Sequence, residues 1–247
     1  VYTDKVDITP EEVYQRLPIE IPSTSLPDGE TITKIFEQIQ SDGFEKVLAI
    51  TISSGLSGPY NVVRLISQEQ QGLETFCLDT KNIGIGSGLQ VIEAAKMVDA
   101  GLAWKDITAR LTENVEKSTV YFNVATLEYL QKGGRIGLVA SILGNALKLN
   151  PIISCNDQGV YHTVAKARGR KKSLEKTFEL IKEFVGSHKN VALAVAHGQA
   201  EEEARTFYQK LKDHFPQVEH IYFGTISPAL VVHTGPGLLG IGVQILD

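Results

Sequence analysis

Apolar residues along this chain recur at two spacings, which divide it into helices and strands. Thr9-Pro10-Glu11-Glu12 sets a capping threonine before a proline at the first helical position, with Glu12 three residues past the cap, and predicts a short helix to about Leu17. Residues 19–25 read as extended chain or loop. Asp28-Gly29-Glu30 turns into a helix over 31–41, where Ile32, Ile35, Phe36 and Ile39 share one face. Lys46-Val47-Leu48-Ala49-Ile50-Thr51-Ile52 is a short β-branched apolar run bounded by Gly43 and Ser53-Ser54-Gly55, as suits a buried parallel strand. Next come a helix over 58–70, a strand over 75–78 and a helix opened by Gly84-Ile85-Gly86-Ser87-Gly88 that ends near Ala100-Gly101. A helix over 104–117 repeats Ile107, Leu111 and Val115 at every fourth position. This alternation predicts a doubly wound parallel sheet.

From about Ser118 the rhythm changes. A strand is expected over 119–124, a helix over 127–131, and an apolar, glycine-bearing stretch over 136–147. Pro151-Ile152-Ile153-Ser154-Cys155 and Gly159-Val160-Tyr161-His162-Thr163-Val164-Ala165 flank Asn156-Asp157-Gln158 and predict a β-hairpin. A helix over 173–186, a strand over 191–196, a helix over 200–215, a strand over 220–225 and a last strand over 240–246 complete the chain. The expected fold class is α/β: a doubly wound parallel domain over 1–117, then an α+β domain over 118–247.

Composition narrows the function. With 247 residues, 43% of them hydrophobic, the chain can bury a substantial core. A formal net charge of -5 argues against a nucleic-acid binder, whose footprint is basic. Cys77 and Cys155 are too few for a disulfide framework and lack metal-ligand spacing, so they read as small buried apolar residues in a reducing compartment. No apolar run approaches the roughly 20 residues that cross a bilayer, and no signal-peptide pattern opens the sequence. The expectation is a soluble cytoplasmic protein without stable membrane insertion. The chain begins at Val1 with a stretch that reads as the middle of a domain, so a preceding segment is expected.

The last apolar runs enclose the sharpest candidate chemistry. His233-Thr234-Gly235-Pro236-Gly237 lies between Leu230-Val231-Val232 and Leu238-Leu239-Gly240-Ile241 and reads as a loop between apolar strands. One imidazole, one hydroxyl and a backbone kept bare by two glycines and a proline suit a head-group contact at the mouth of an apolar region. Two upstream loops share that character. Ser23-Thr24-Ser25-Leu26-Pro27 either caps the next helix or lets Thr24 or Ser25 donate to an anionic ligand. Ser53-Ser54-Gly55-Leu56-Ser57-Gly58 follows a strand and precedes a helix, where open parallel sheets gather ligands, but it lacks the Gly-Lys-Ser/Thr ending of a phosphate-binding loop.

Other motifs carry less. Gly86-Ser87-Gly88-Leu89-Gln90-Val91 lacks the third glycine of a dinucleotide fingerprint, which argues against nicotinamide and flavin cofactors. Lys132-Gly133-Gly134-Arg135-Ile136 reads either as a solvated turn or as a guanidinium clamp on a carboxylate or phosphate. The basic run from Lys166 to Lys172, with Arg168, Arg170 and Lys171, reads as a solvated face or a docking surface for an acidic partner. His197-Gly198 ends another strand and is a weaker candidate than His233. No His/Cys/carboxylate group has metal spacing, and no nucleophile elbow is complete.

Taken in order, these motifs resemble the DegV family, fatty-acid-binding proteins that serve as the lipid-carrying subunit of bacterial fatty acid kinase. The resemblance rests on Thr24-Ser25-Leu26-Pro27, the segment from Ile52 to Tyr60, the segment from Thr126 to Ile136, Asn150-Pro151-Ile152, and His233-Thr234-Gly235-Pro236-Gly237. It implies two domains with a fatty acid between them. The carboxylate would meet Thr24, Ser54 and His233, with Ser53 or Ser57 as alternatives to Ser54, Arg135 in support, and Ser25 and Thr234 as further contacts. It also implies a partner kinase that phosphorylates the bound carboxylate with ATP, giving an acyl phosphate for phospholipid synthesis. This chain would be a non-enzymatic subunit needing neither metal nor cofactor.

The sequence departs from the family pattern at Leu26, where a polar Gln is usual, and at Pro59, where Thr is usual. The family's first strand, with its Asp-Ser-Thr segment, is missing. Dihydroxyacetone kinase subunits share the general architecture and supply an alternative, a small-carbonyl-binding enzyme subunit.

Overall fold

The computed structural model describes residues 1–142, 149–219 and 221–247, so part of the apolar stretch expected over 136–147 and the first residue of the strand expected over 220–225 lie outside the described residues. The chain opens with α1 (Pro10–Arg16), whose capping box is complete: the Thr9 hydroxyl accepts from the Glu12 amide and the Glu12 carboxylate accepts from the Thr9 amide. Substituting alanine for Thr9 removes the hydroxyl that accepts from the Glu12 amide, leaves the Thr9 amide bond to the Glu12 carboxylate, and is expected to lower stability by about 1 kcal/mol, read as a fall in the urea midpoint at unchanged m.

The next elements are α2 (Gly29–Ser41), β1 (Lys46–Thr51), α3 (Pro59–Glu69), β2 (Glu74–Asp79), α4 (Ile85–Asp99) and α5 (Trp104–Asn114). Strands β1 and β2 pair in parallel, from Lys46 opposite Glu74 to Thr51 opposite Asp79, with α3 as the crossover. Side-chain alternation sends Val47 toward Ile32 and Phe36 of α2 and Val62, Val63 and Ile66 of α3. Leu48, Ile50, Phe76 and Leu78 turn to the opposite face, against Ala94 and Met97 of α4 and Ile107 and Leu111 of α5. Helices thus cover both faces, as the alternating pattern implies, over a sheet of two strands among the described residues.

The rest of the chain builds a mixed sheet from β3 (Ser118–Asn123), β4 (Leu149–Cys155), β5 (Tyr161–Arg168), β6 (Val191–Gly198), β7 (Ile221–Thr225) and β8 (Leu238–Ile245). Its order is β5-β4-β3-β8-β6-β7, antiparallel except for the β6-β7 pair. The helices are α6 (Glu128–Lys132), α7 (Arg170–Val185), α8 (Glu201–His214) and α9 (Pro228–Thr234), and a 3-10 helix spans Gly137–Ile142. One sheet face, with Leu239, Ile241, Val243 and Ile245, packs on α7 and α8 through Phe178, Ile181, Phe207 and Leu211. The other, with Val120, Phe122, Ala196 and Leu238, faces α1, α6 and α9. Strand β8 is therefore buried on both faces along its whole length.

Three elements differ from the sequence reading, one of them α5, which ends at Asn114 and leaves residues 115–117 of the expected helix as a turn into β3. Leu230-Val231-Val232 belongs to helix α9, so His233 and Thr234 sit on its last turn and the turn proper is Gly235 to Gly237. Pro228 at the first helical position starts this helix, and burial of Val231 and Val232 against α1 holds a β-branched run that would favour a strand in isolation. Helix α7 begins at Arg170, three residues earlier than expected, because Gly169 adopts a φ of 84° and lets the chain turn directly off β5. Among the described residues no helix is long and apolar enough to cross a membrane.

Candidate functional site

Where α9 ends, two distant segments converge on His233. Its Nε2 lies 2.8 Å from the Thr24 hydroxyl, 209 residues away in sequence. Its Nδ1 is buried without a partner and sits above Gly133, where any Cβ would collide with the ring. The Arg135 guanidinium folds back to donate from Nη1 to the Gly133 carbonyl at 2.8 Å, which fixes a positive charge near the imidazole. Burial, and then that arginine, push His233 down to about 4, so the ring is neutral at neutral pH. It then offers one N–H donor and one acceptor nitrogen, beside a hydroxyl and a cation.

The Gly-Pro-Gly turn is shaped by close approach. Gly235, at φ 65°, leaves room for the Tyr129 ring, and Gly237, at φ 85°, would meet Ala125 with any Cβ. The segment from Thr126 to Ile136 therefore wraps α9 and seats the imidazole. Thr234 turns its hydroxyl back onto the Leu230 carbonyl at 2.8 Å.

The second hydroxyl loop is held differently. Ser53 is fully buried, and its Oγ donates to the Gly159 carbonyl at 2.8 Å, tying the loop to the β4-β5 hairpin turn. Ser54 donates its hydroxyl to Asp79 Oδ2, while its amide reaches Asp79 Oδ1 at 3.1 Å. Lys81 Nζ closes this cluster, 2.7 Å from Asp79 and 3.4 Å from Ser54. Burial works to raise the Asp79 carboxyl, but the bonds from Lys81 and Ser54 outweigh it and hold the group below its ordinary value. The Ser57 amide donates to the Ser53 carbonyl at 3.2 Å. Ser25 is exposed.

Within the basic run, Arg170 is engaged in a two-pronged ion pair with Glu203, at 2.7 Å from Nη2 and 3.1 Å from Nε, whereas Arg168 and Lys171 are exposed. His197, the weaker histidine, is buried at the end of β6 beside the Phe223 ring.

Beside His233 an apolar slot lies between the second sheet and the elements above it. Ile83, Gly84, Ile85, Leu230 and Thr234 form its roof side, and Val120, Phe122, Tyr161, Ala196, Leu238 and Gly240 line the sheet side. Its empty space, mouth included, is about 380 Å³, of which the centre of a water molecule can occupy about 40 Å³, so the walls stand close together. Thr234 lines the slot and His233 precedes it, placing a polar cluster next to an almost wholly apolar channel.

Residues 1–245 match the family model described as "Uncharacterised protein, DegV family". The chain belongs to the DegV family. A DegV domain-containing protein of Clostridium acetobutylicum is 39% identical over 241 residues, covering 97% of this chain and 85% of that one. A structure reported as the fatty acid binding of a DegV family protein from Thermus thermophilus superposes with a TM-score of 0.93 at 28% identity, covering 99% of this chain and 87% of the other. DegV of Bacillus subtilis, described as a fatty acid binding protein, superposes with a TM-score of 0.90 at 26% identity, with 99% and 87% coverage.

In this DegV chain the site contains groups that sequence reasoning did not single out. Asp79 ends the parallel strand β2 and Lys81 stands two residues past it, a position that favours ligands, and that placement was the available signal. Gly159 and Tyr129 gave none, because their roles are contacts with residues far off in sequence.

Proposed function

We propose that this chain binds a long-chain fatty acid, with the acyl tail in the apolar slot and the carboxylate at Thr24, His233 and Arg135. The reading adds Ser54 as a carboxylate donor once its hydroxyl turns from Asp79, with Ser53, Ser57, Ser25 and Thr234 as nearby hydroxyls. The single observation that carries it is the junction at the end of α9, where a neutral imidazole bonded to Thr24 stands directly beside the slot. The fatty acid binding reported for the Thermus thermophilus and Bacillus subtilis proteins supports it.

The energetics fit this division. Each buried methylene is worth about 0.8 kcal/mol, so a long tail supplies most of the affinity, while a charge-assisted hydrogen bond adds about 1.5 to 3 kcal/mol and fixes orientation. The slot walls stand close, so the tail parts them as it enters.

The same reading makes the chain a non-enzymatic, cytoplasmic subunit of two domains, 1–117 and 118–247, that presents the carboxylate to an ATP-dependent kinase for conversion to an acyl phosphate. It requires no metal or cofactor. Exposed Arg168 and Lys171 are the proposed contacts for that partner, with Arg170 held in its pair with Glu203.

Native mass spectrometry of gently purified protein tests the binding role. The expected result is an added mass equal to a long-chain acid, lost on organic extraction and regained on adding oleate. Protein that stays empty with added acid and instead forms a hydrazine-sensitive adduct with a triose overturns it.

A further inference from the structure

Further along the sheet face that lines the slot lies a buried polar pair. Side chains of β8 alternate, with Leu239, Ile241, Val243 and Ile245 on the α7-α8 face, so Leu238, Gly240, Gly242 and Gln244 follow one another on the slot face. Leu238 and Gly240 line the slot. The amide of Gly237, in the turn after His233, donates to the Gly198 carbonyl at 2.7 Å, and Gly198 pairs with Leu238, so the Leu238 end adjoins the polar cluster. The Gly242 end is the far end.

At Gly242 the roof comes down onto the sheet. A Cβ there would stand 3.2 Å from Leu89 Cδ1 and 3.3 Å from the Ile85 backbone, so α4 packs tightly at this point and a side chain would press it outward by a few tenths of an ångström. One further step along the same face, about 7 Å, is Gln244. Gln244 is fully buried, and among the described residues neither its amide nitrogen nor its amide oxygen has a hydrogen-bond partner. Opposite it across the β3-β8 pair stands Ser118, on the same face as slot-lining Val120, and its hydroxyl is also buried and unpartnered. Two adjacent, unsatisfied polar side chains are a poor surface for methylene groups, because an acyl carbon set against them satisfies neither and excludes water from both.

We propose that the Gly242 constriction and the Gln244-Ser118 pair set the longest acyl chain the protein accepts, Gly242 as the gate and the polar pair as the stop. The proposal rests on the fatty-acid reading and names its specificity-determining residues. Affinity rises about fourfold for each methylene that finds an apolar wall. That gain ends when the terminal methyl, having passed the constriction, meets the polar pair. A side chain at Gly242 brings the end nearer to the head group, and removing the polar atoms at the stop moves it away.

The test uses the full chain stripped of bound lipid and measures dissociation constants for saturated acids from twelve to twenty carbons. The wild-type series is expected to tighten about fourfold per carbon and then break to a flat or falling limb. Gly242→Ala moves the break to shorter acids. Gln244→Met, which keeps side-chain length without an amide, combined with Ser118→Ala, moves it to longer ones. Thermal unfolding of each variant shows whether it is folded, and either variant alone decides the matter. A break that stays at the same chain length in a folded variant overturns the proposal, while failure of the wild type to bind any acid overturns the fatty-acid reading instead.

Discussion

His233→Ala is expected to slow phosphorylation of the bound acid by ten-fold or more while leaving retention of the tail nearly intact. The imidazole is half-buried and neutral at neutral pH, precedes slot-lining Thr234, and is oriented by Thr24 at 2.8 Å. Losing one oriented hydrogen bond to a charged group is worth about 1.5 to 3 kcal/mol, which corresponds to roughly 10- to 150-fold when expressed in the transition state. Tail burial, at about 0.8 kcal/mol per methylene, does not involve this ring and continues to hold the acid. Gly133→Ala supplies an independent route to the same outcome. Gly133 has an ordinary φ of -77°, so alanine introduces no backbone strain, but its Cβ would displace the imidazole from Nδ1 inward. Both variants should show a reduced rate of acyl-phosphate formation in a coupled assay with the kinase, alongside near-normal acid content by mass spectrometry. Unchanged acyl-phosphate formation in His233→Ala removes the histidine from the presenting role.

Acidification should destabilise the protein through the same residue. Burial and Arg135 lower His233 to about 4 in the folded state, against an ordinary value of 6.5. Below 6.5 the unfolded chain takes up a proton that the folded chain refuses, so the unfolded state binds more protons and stability falls as pH falls. The loss accumulates between about 6.5 and 4 and stops below the folded value. Its full size is on the order of 2 to 3 kcal/mol for a group that keeps some solvent contact. His197 and Asp79, whose folded values are also lowered, contribute their own slopes, so the difference between wild type and His233→Gln is the informative quantity. Urea midpoints at pH 7, 6, 5 and 4.5 should converge or cross as the pH falls, since the variant lacks this one protonation. Parallel pH profiles for the two proteins show that His233 is not the source. Bound acid places a negative charge beside the ring, favours its protonated form and so raises the folded value, which makes the wild-type loss smaller and ends it at a higher pH.

The candidate site was legible in part. Thr24 and His233 could be singled out as hydroxyl and imidazole in glycine- and proline-rich segments, and the structure brings them within hydrogen-bond distance. Arg135 could be read as a guanidinium on a flexible turn, and its position over Gly133 follows from the same local segment. Ser54 was equally legible as a residue, but its engagement depends on Asp79, 25 positions away on a neighbouring strand. Arg170 looked like part of a solvated basic face, and only the placement of α8 beside α7 gives it Glu203.

What the sequence determined by itself is the local order of the chain. The capping box of α1, the amphipathic face of α2, the β1 run and the β4-β5 hairpin arise from contacts within a few residues, where sterics and hydrogen bonding are set by the residues present. The tertiary structure decided the rest. It made Leu230-Val231-Val232 helical by burying it against α1, overriding a β-branched preference worth only tenths of a kcal/mol per residue. It also laid α4 on Gly242 and left Gln244 and Ser118 buried without partners. The sequence shows an alternating strand with a glutamine in it. That this glutamine is buried on the same sheet face as slot-lining Leu238 and Gly240 follows only from which surfaces pack face to face, a choice made by the whole core.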